Sequence, residues 1–296
     1  MSDERPCRSY LFAPGNNERL LGKVLDAGAD AVVLDLEDAV AAEHKLVARQ
    51  QVRQLLQEAD ATLPVWVRLN DLRGAEWQAD VAEICGEPTA LRTLAGLRVP
   101  KAESAAELAQ LDETLRPLEE QAGLEPGSSR LTCTIESALG LVAAPQLAAH
   151  PRVSHLAFGE ADFVADIGAE LDGQGTATLF ARSSLVVAAR AAGIAPPIAP
   201  VFTQLDDPDG LRRSTRELRQ QGFFGRSCIH PRQIEPIHHA LAPRPEQIAQ
   251  ARAILASFEE AGGGSALAAG RFVDEAVVRQ ARAVLALAET PNGAAE

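Results

Sequence analysis

The stretch 130–166, RLTCTIESALGLVAAPQLAAHPRVSHLAFGEADFVAD, limits the possible folds more than any other part of the chain. Two apolar runs, 131–135 and 153–158, flank a helical pattern over 138–149 that stops before Pro151. A strand, a helix and a strand of these lengths form a βαβ unit with parallel strands. Glu136 follows the first run and Asp162 follows the second, so both carboxylates emerge at the same edge, about one strand spacing apart. Two hard oxygen ligands converging there suit a divalent cation such as Mg²⁺, which takes one or two protein carboxylates and leaves its other positions to water and substrate. Acids after strands often cap the next helix and complement its dipole, and Glu136 taken alone reads better that way. Glu37 and Asp38, which end another apolar run, tip the set towards a metal site.

The same alternation continues on both sides. Strands are expected at 9–13, 31–36, 65–69, 97–99, 131–135, 153–158, 198–202 and 225–229. Helices are expected between them at 18–26, 43–59, 76–84, after the capping box Ser104–Glu107, and at 138–149, 177–192 and 209–220. Eight strands alternating with helices over roughly 240 residues predict an α/β fold, a (β/α)₈ TIM barrel. A doubly wound open sheet is the competing topology, but no G-x-G-x-x-G or P-loop pattern follows the first strand. Polar residues stand at nearly every strand end (Asn16, Glu37, Arg68, Lys101, Glu136, Asp162, His230), and a barrel would gather them on one face. The barrel is expected over 1–242. A C-terminal helical extension, 243–296, carries helices at 246–260 and 274–289 joined by a glycine-rich linker at 262–270.

Charge narrows the partners. Lys and Arg total 28 against 41 Asp and Glu, a net charge of −13, which argues against nucleic acid and against anionic membranes. The four cysteines, Cys7, Cys85, Cys133 and Cys228, are widely spaced, the pattern of free thiols in a reducing cytoplasm. No signal-like segment opens the chain, and no run reaches transmembrane length.

Eight ordered segments resemble one family. RSYLFAPGNNERLLGK, DAVVLDLEDAV, VRLND, VPKAES, TIESALGL, FGEADF, GFFGRSCIHPRQI and GRFVDEAVV follow the motifs of the citrate lyase β-subunit-like enzymes of the HpcH/HpaI aldolase superfamily, which includes malyl-CoA, citramalyl-CoA and citryl-CoA lyases. The resemblance runs from Arg8 to Asp274. It implies a TIM barrel, Mg²⁺ (or Mn²⁺ in its place), a CoA thioester substrate and a homotrimer or hexamer. It places Glu136 and Asp162 as metal ligands and Arg68 beside the metal on the substrate. Phe12, Arg19 and Lys23 fall where members contact CoA or the acyl portion, and Ser227 and Cys228 where the eighth-strand loop touches substrate. Asp274 falls on the catalytic aspartate of the malate-synthase-like members, on a segment that a neighbouring protomer lays over the barrel mouth. One departure stands out: where relatives show Ile-Asp at the seventh strand, this chain has Ile198-Ala199.

The implied chemistry is retro-Claisen cleavage of a 3-hydroxyacyl thioester. It needs a base for the hydroxyl proton, a Lewis acid for the developing carbonyl and a site that tolerates an enolate. Mg²⁺ on Glu136 and Asp162 would fill the Lewis-acid role. Arg68 offers a guanidinium fork to a carboxylate or enolate oxygen, and Glu37 and Asp38 would hold metal-bound waters. Arg19 and Lys23, four apart on one helix, form a cationic patch for phosphates or a solvated face. Lys101 faces either the acids or the substrate, Asp35 reads as an inward structural carboxylate, and Asp274 would also serve as an N-cap. The rival functions are a pyruvate-type class II aldolase acting on free 2-oxo acids, a non-catalytic barrel, and the β-subunit of a larger citrate lyase.

Overall fold

The computed structural model describes residues 6–59, 62–170, 175–260, 266–268 and 271–288. The chain divides into two compact units, Cys7–His238 and a smaller one of Met1–Pro6 with His239–Glu296.

The larger unit is a curled parallel sheet with helices. Its strands are β1 (Ser9–Pro14), β2 (Ala31–Asp35), β3 (Val65–Arg68), β4 (Leu94–Val99), β5 (Arg130–Ile135), β6 (Val153–Phe158) and β7 (Arg226–Cys228), in the order β6-β5-β4-β3-β2-β1-β7. The helices are α1 (Glu18–Val24), α2 (Lys45–Glu58), α3 (Glu76–Cys85), α4 (Pro88–Thr93), α5 (Ala105–Gln121), α6 (Ala138–Ala148), α7 (Glu160–Asp166), α8 (Leu179–Ala192), α9 (Pro208–Gln221) and α10 (Ile234–Leu241). The helix starts follow local chemistry. Asn17, Ser104, Ser137 and Asp207 each accept a backbone N–H of the first turn on their side-chain oxygen.

Inward side chains alternate along each strand. Tyr10, Ala31, Val33, Trp66, Ala157 and Ile198 pack into an apolar core on the inner face. Towards the C-termini the same face turns polar, through Asp35, Arg68, Arg98 and Thr134. This polarity gradient places the chemistry at one end of the sheet.

The seventh strand expected at 198–202 is reduced to two isolated parallel bridges, Ala157 with Ile198 and Ala199 with Arg226. Ile198 N donates to Leu156 O (2.8 Å) and Ala199 N to Gly225 O (2.9 Å), so the same two residues are bonded to both edge strands. Pro196, Pro197 and Pro200 lack the N–H that a longer ladder needs, which is why the strand stops there. Two short helices, α4 and α7, were not expected from the apolar periodicity; each has fewer than eight residues.

The smaller unit contains α11 (Pro245–Glu260), a two-stranded antiparallel sheet of β8 (Ala266–Ala268) and β9 (Arg271–Val273), and α12 (Glu275–Ala288). Val273 and Val278 are buried against Ile254, Leu255 and Phe258. The glycine-rich stretch read as a flexible linker therefore contains a strand. Ala268 pairs with Arg271 and Ala266 with Val273, because β-favouring Phe272-Val273 offers an edge for the apolar run to join. The rest of that stretch, 262–265 and 269–270, lies outside the described residues. No described helix is long and apolar enough to cross a membrane.

Candidate active site

Strands β2 and β3 pair in register with Asp35 opposite Arg68. Arg68 donates from Nε to Asp35 Oδ1 (2.7 Å) and from Nη2 to Oδ2 (2.6 Å), a bidentate grip. The same carboxylate accepts the backbone N–H of Glu37 (2.9 Å) and of Ala39 (3.2 Å), which folds the β2 loop back over the strand end. Arg68 Nη1 then lies 2.8 Å from Glu37 Oε2 and 3.4 Å from Asp38 Oδ2. Burial alone would lower the guanidinium pKa, but the Asp35 bonds and the three nearby acids raise it on balance.

Lys101, at the end of β4, holds the other side of the cluster. Its ammonium bonds Glu37 Oε1 and lies 3.5 Å from Asp38, while its backbone N–H donates to Glu136 Oε2 at 3.1 Å. Reaching both groups requires φ of +47°, the one positive φ outside glycine among the described residues. A non-glycine residue held there costs about 1–3 kcal/mol, a strain that functional sites commonly carry. Burial lowers the Lys101 pKa and the Glu37 contact more than restores it, to about 12. Burial pushes the Glu37 carboxyl up, with Arg68 and Lys101 pulling against it. For Asp38 burial also pulls upward, but Arg68 and Lys101 outweigh it and the pKa falls. Glu37 Oε2 is sealed from solvent with no hydrogen bond, since Arg68 approaches it off the axis of its N–H bonds.

Glu136 follows β5 and is 8 % exposed. Burial pushes its carboxyl up to about 7, helped by the charges of Glu37 and Asp162 and opposed by Arg68 and Arg98. Its side chain lies against Gly159, where any Cβ would collide with Glu136 Cγ. Asp162 is exposed in the first turn of α7, just beyond that glycine, and the dipole there favours a carboxylate. Among the described residues no group of three or more His, Cys, Asp and Glu side chains could enclose a metal. The charges of Glu37 and Asp162 both act on Glu136, so three carboxylates share this end of the sheet.

The structure brings most of the expected residues together. Phe12 lies between two guanidinium groups, 5.4 Å from Arg68 Cζ and 4.9 Å from Arg98 Cζ, and Ser227 accepts from Arg98 Nη1 at 3.2 Å. Cys228 lies on the opposite face of β7, fully buried, with its thiol pushed up to about 12 by burial. Arg19 and Lys23 are exposed on α1. Asp274, in the smaller unit, caps α12, with Oδ1 accepting from Ala276 N and Val277 N at 3.0 Å each.

Asp35, read from the sequence as an inward structural carboxylate, and Arg98, not singled out at all, complete the cluster. The signal for both was a charge inside an apolar run: AVVLD and LRV each carry one at an inward position.

Residues 8–231 match the HpcH/HpaI aldolase/citrate lyase family. The chain belongs to the HpcH/HpaI aldolase/citrate lyase family. Residues 186–289 also match a family of C–C bond lyases of the TIM-barrel fold. Within the HpcH/HpaI family, the citrate lyase subunit beta of Leuconostoc mesenteroides subsp. cremoris is 36 % identical over 293 residues, covering 97 % of this chain and 95 % of that one. A (3S)-malyl-CoA thioesterase of Cereibacter sphaeroides is 32 % identical over 289 residues, with 96 % and 95 % coverage. Among solved structures, the CitE protein of Mycobacterium tuberculosis in complex with magnesium, acetoacetate and coenzyme A superposes with a TM-score of 0.77. It is 29 % identical, and the match covers 97 % of this chain and 98 % of that one. The TIM-barrel type of fold and a lyase family are thus shared across nearly the full length.

Proposed function

We propose that the chain is a Mg²⁺-dependent carbon–carbon lyase that cleaves, or in reverse forms, a 3-hydroxyacyl-CoA thioester such as citryl-, malyl- or citramalyl-CoA. The observation that carries this is Glu136, a buried carboxyl raised to about 7 beside two further acids, Glu37 and Asp162. Arg68 and Lys101 pair with Glu37, whereas among the described residues Glu136 accepts only a backbone N–H, from Lys101. Glu136 and Asp162 would hold Mg²⁺ (or Mn²⁺), and Glu37 and Asp38 its waters. When bound, the metal would polarise the hydroxyl that becomes a carbonyl.

The rest falls to the chain's own side chains. Asp35 fixes the Arg68 fork through two of its five N–H groups, which leaves N–H groups on the η nitrogens for a substrate carboxylate or enolate oxygen. Lys101 balances Glu37 and Asp38. Arg19 and Lys23 would receive the CoA phosphates. Asp274 would act as base, supplied by a neighbouring protomer of a homotrimer or hexamer in the cytoplasm. Both cap bonds go to its Oδ1, which leaves Oδ2 to take a proton. We count Ile198–Ala199 as a reduced strand, so that the sheet is the closed (β/α)₈ barrel whose C-terminal ends carry the site.

The test is a panel assay of the purified protein with Mg²⁺ and citryl-, malyl-, citramalyl- and 3-hydroxy-3-methylglutaryl-CoA. Acetyl-CoA plus glyoxylate is run in reverse, and free CoA is monitored to catch hydrolysis. Turnover of a thioester that disappears with EDTA is expected. Turnover of free 2-oxo acids alone would replace this reading with the aldolase.

A further inference from the structure

Arg98 is a buried cation that the chemistry above leaves unused. It is the penultimate residue of β4, opposite Arg68 in register, and is 5 % exposed. Arg68 and Lys101 are each bound to acids, but Arg98 forms no ion pair among the described residues. Its partners are neutral hydroxyls: Nε donates to Thr134 Oγ1 (3.0 Å) and Nη1 to Ser227 Oγ (3.2 Å). Thr134 lies two residues before Glu136 on the inner face of β5, so the guanidinium lies one inward step below that carboxylate. Ser227 belongs to β7, which β3, β2 and β1 separate from β4 in the sheet, so the bond spans the concave side.

Two details point to a ligand rather than to a strut. Nη2 has no hydrogen-bond partner among the described residues, yet it is not one of the side-chain atoms sealed from solvent without one, so the residual exposure includes that nitrogen. Ser227 Oγ spends an acceptor position on Arg98, which leaves its own O–H as a donor. The result is an N–H and an O–H donor with a full positive charge behind them and Phe12 as the adjoining wall. A buried charge without a partner acid is costly, and an apolar residue of similar volume is commonly as stable or more so.

We propose that Arg98, with Ser227, is the specificity-determining group for a second carboxylate on the acyl fragment, so that the site selects dicarboxylic over monocarboxylic oxo acids. This rests on the lyase reading above, in which the metal end of the site takes the 2-oxo acid portion common to both classes.

Oxaloacetate and pyruvate differ by that one carboxylate and are the probes. Calorimetry is run on the full-length, Mg²⁺-loaded protein and on Arg98→Met, Arg98→Lys and Ser227→Ala. The wild type is expected to bind oxaloacetate the more tightly. Arg98→Met should lose about 10-fold or more of that affinity. At saturating Mg²⁺ its pyruvate affinity should hold, and its Tm should stay level or rise. Arg98→Lys should recover part of the loss, and Ser227→Ala should show a smaller loss in the same direction. Equal affinity of the wild type for both acids overturns the proposal. So does an Arg98→Met protein that misfolds, melts earlier with both acids weakened alike, or binds oxaloacetate normally. A wild type that binds neither acid removes the lyase reading and this inference with it.

Discussion

Arg68 and Asp35 face each other across adjacent strands and join through two parallel hydrogen bonds of 2.7 and 2.6 Å. Lysine cannot reproduce that fork. Arg68→Lys is expected to lower kcat/KM by about 10²-fold with a Tm shift of only a few degrees, and Asp35→Asn to cause a loss of similar size by releasing the guanidinium. Steady-state kinetics beside thermal melts check this; an active Asp35→Asn would remove the positioning role.

Glu136 carries a pH signature. Its folded pKa of about 7 lies above the unfolded carboxylate value, so folding favours the protonated form. Without metal, its contribution to stability is full below the unfolded pKa of about 4.3 and is lost as the pH rises through about 7. Wild-type apoprotein should therefore lose Tm relative to Glu136→Gln over that window. Metal competes with that proton, so Mg²⁺ affinity should weaken below about pH 7 in the wild type. Glu136→Gln and Asp162→Asn should each bind Mg²⁺ weakly at every pH; calorimetry at pH 6 and 8 decides.

Asp274 separates capping from catalysis. Asparagine keeps the oxygen that accepts from Ala276 and Val277, so Asp274→Asn should melt like the wild type. A lost base would lower kcat roughly 10²-fold or more. Near-normal turnover would leave Asp274 as a cap.

Arg19 and Lys23 stand one turn apart, exposed on α1. Replacing both with alanine should raise KM for the CoA thioester with little change in kcat, and the salt dependence of KM should flatten. An unchanged KM in low salt would return the pair to an ordinary solvated face.

Glu119 predicts behaviour in acid. It is fully buried and accepts from Arg152 Nη1 and Nη2, and from the backbone N–H groups of Gly127 and Ser129 at 2.7 Å each. Burial raises its pKa, but these bonds outweigh burial and bring it to about 2. Its contribution is present above the unfolded pKa and lost as the pH falls through about 2. Glu119→Gln should cost about 1–3 kcal/mol at neutral pH, because it removes one of the two acids that pair with Arg152 among the described residues and leaves Asp112 as the other. Urea melts at pH 7 and pH 3 should show that gap narrowing in acid.

The strands that precede Glu136 and Asp162 were legible as short apolar runs bounded by turn signals, and parallel strands deliver their ends to one edge. Asp35 was harder to assign, since a carboxylate inside AVVLDL looks structural until its partner across the sheet is known. The pairing of Lys101 was beyond periodicity altogether. It depends on a positive φ that no residue preference favours, and on two acids from other strands. The expected strand at 198–202 failed for a local reason, three prolines, that should have outweighed the apolar count. The strand at 266–268 was hidden by its glycine-rich neighbours.

Ile198 and Ala199 also set where the sheet should first come apart. Elsewhere the neighbouring strands share ladders of three to five residue pairs; here two single bridges, hemmed by prolines, hold β6 and β7 to the same segment. A clasp of that kind opens at lower free energy than the strands it fastens. The amide protons of Ile198 and Ala199 should thus exchange with solvent ahead of those in β1 to β6. The clasp would let the curled sheet breathe sideways while the acids on β2 and β5 keep their spacing.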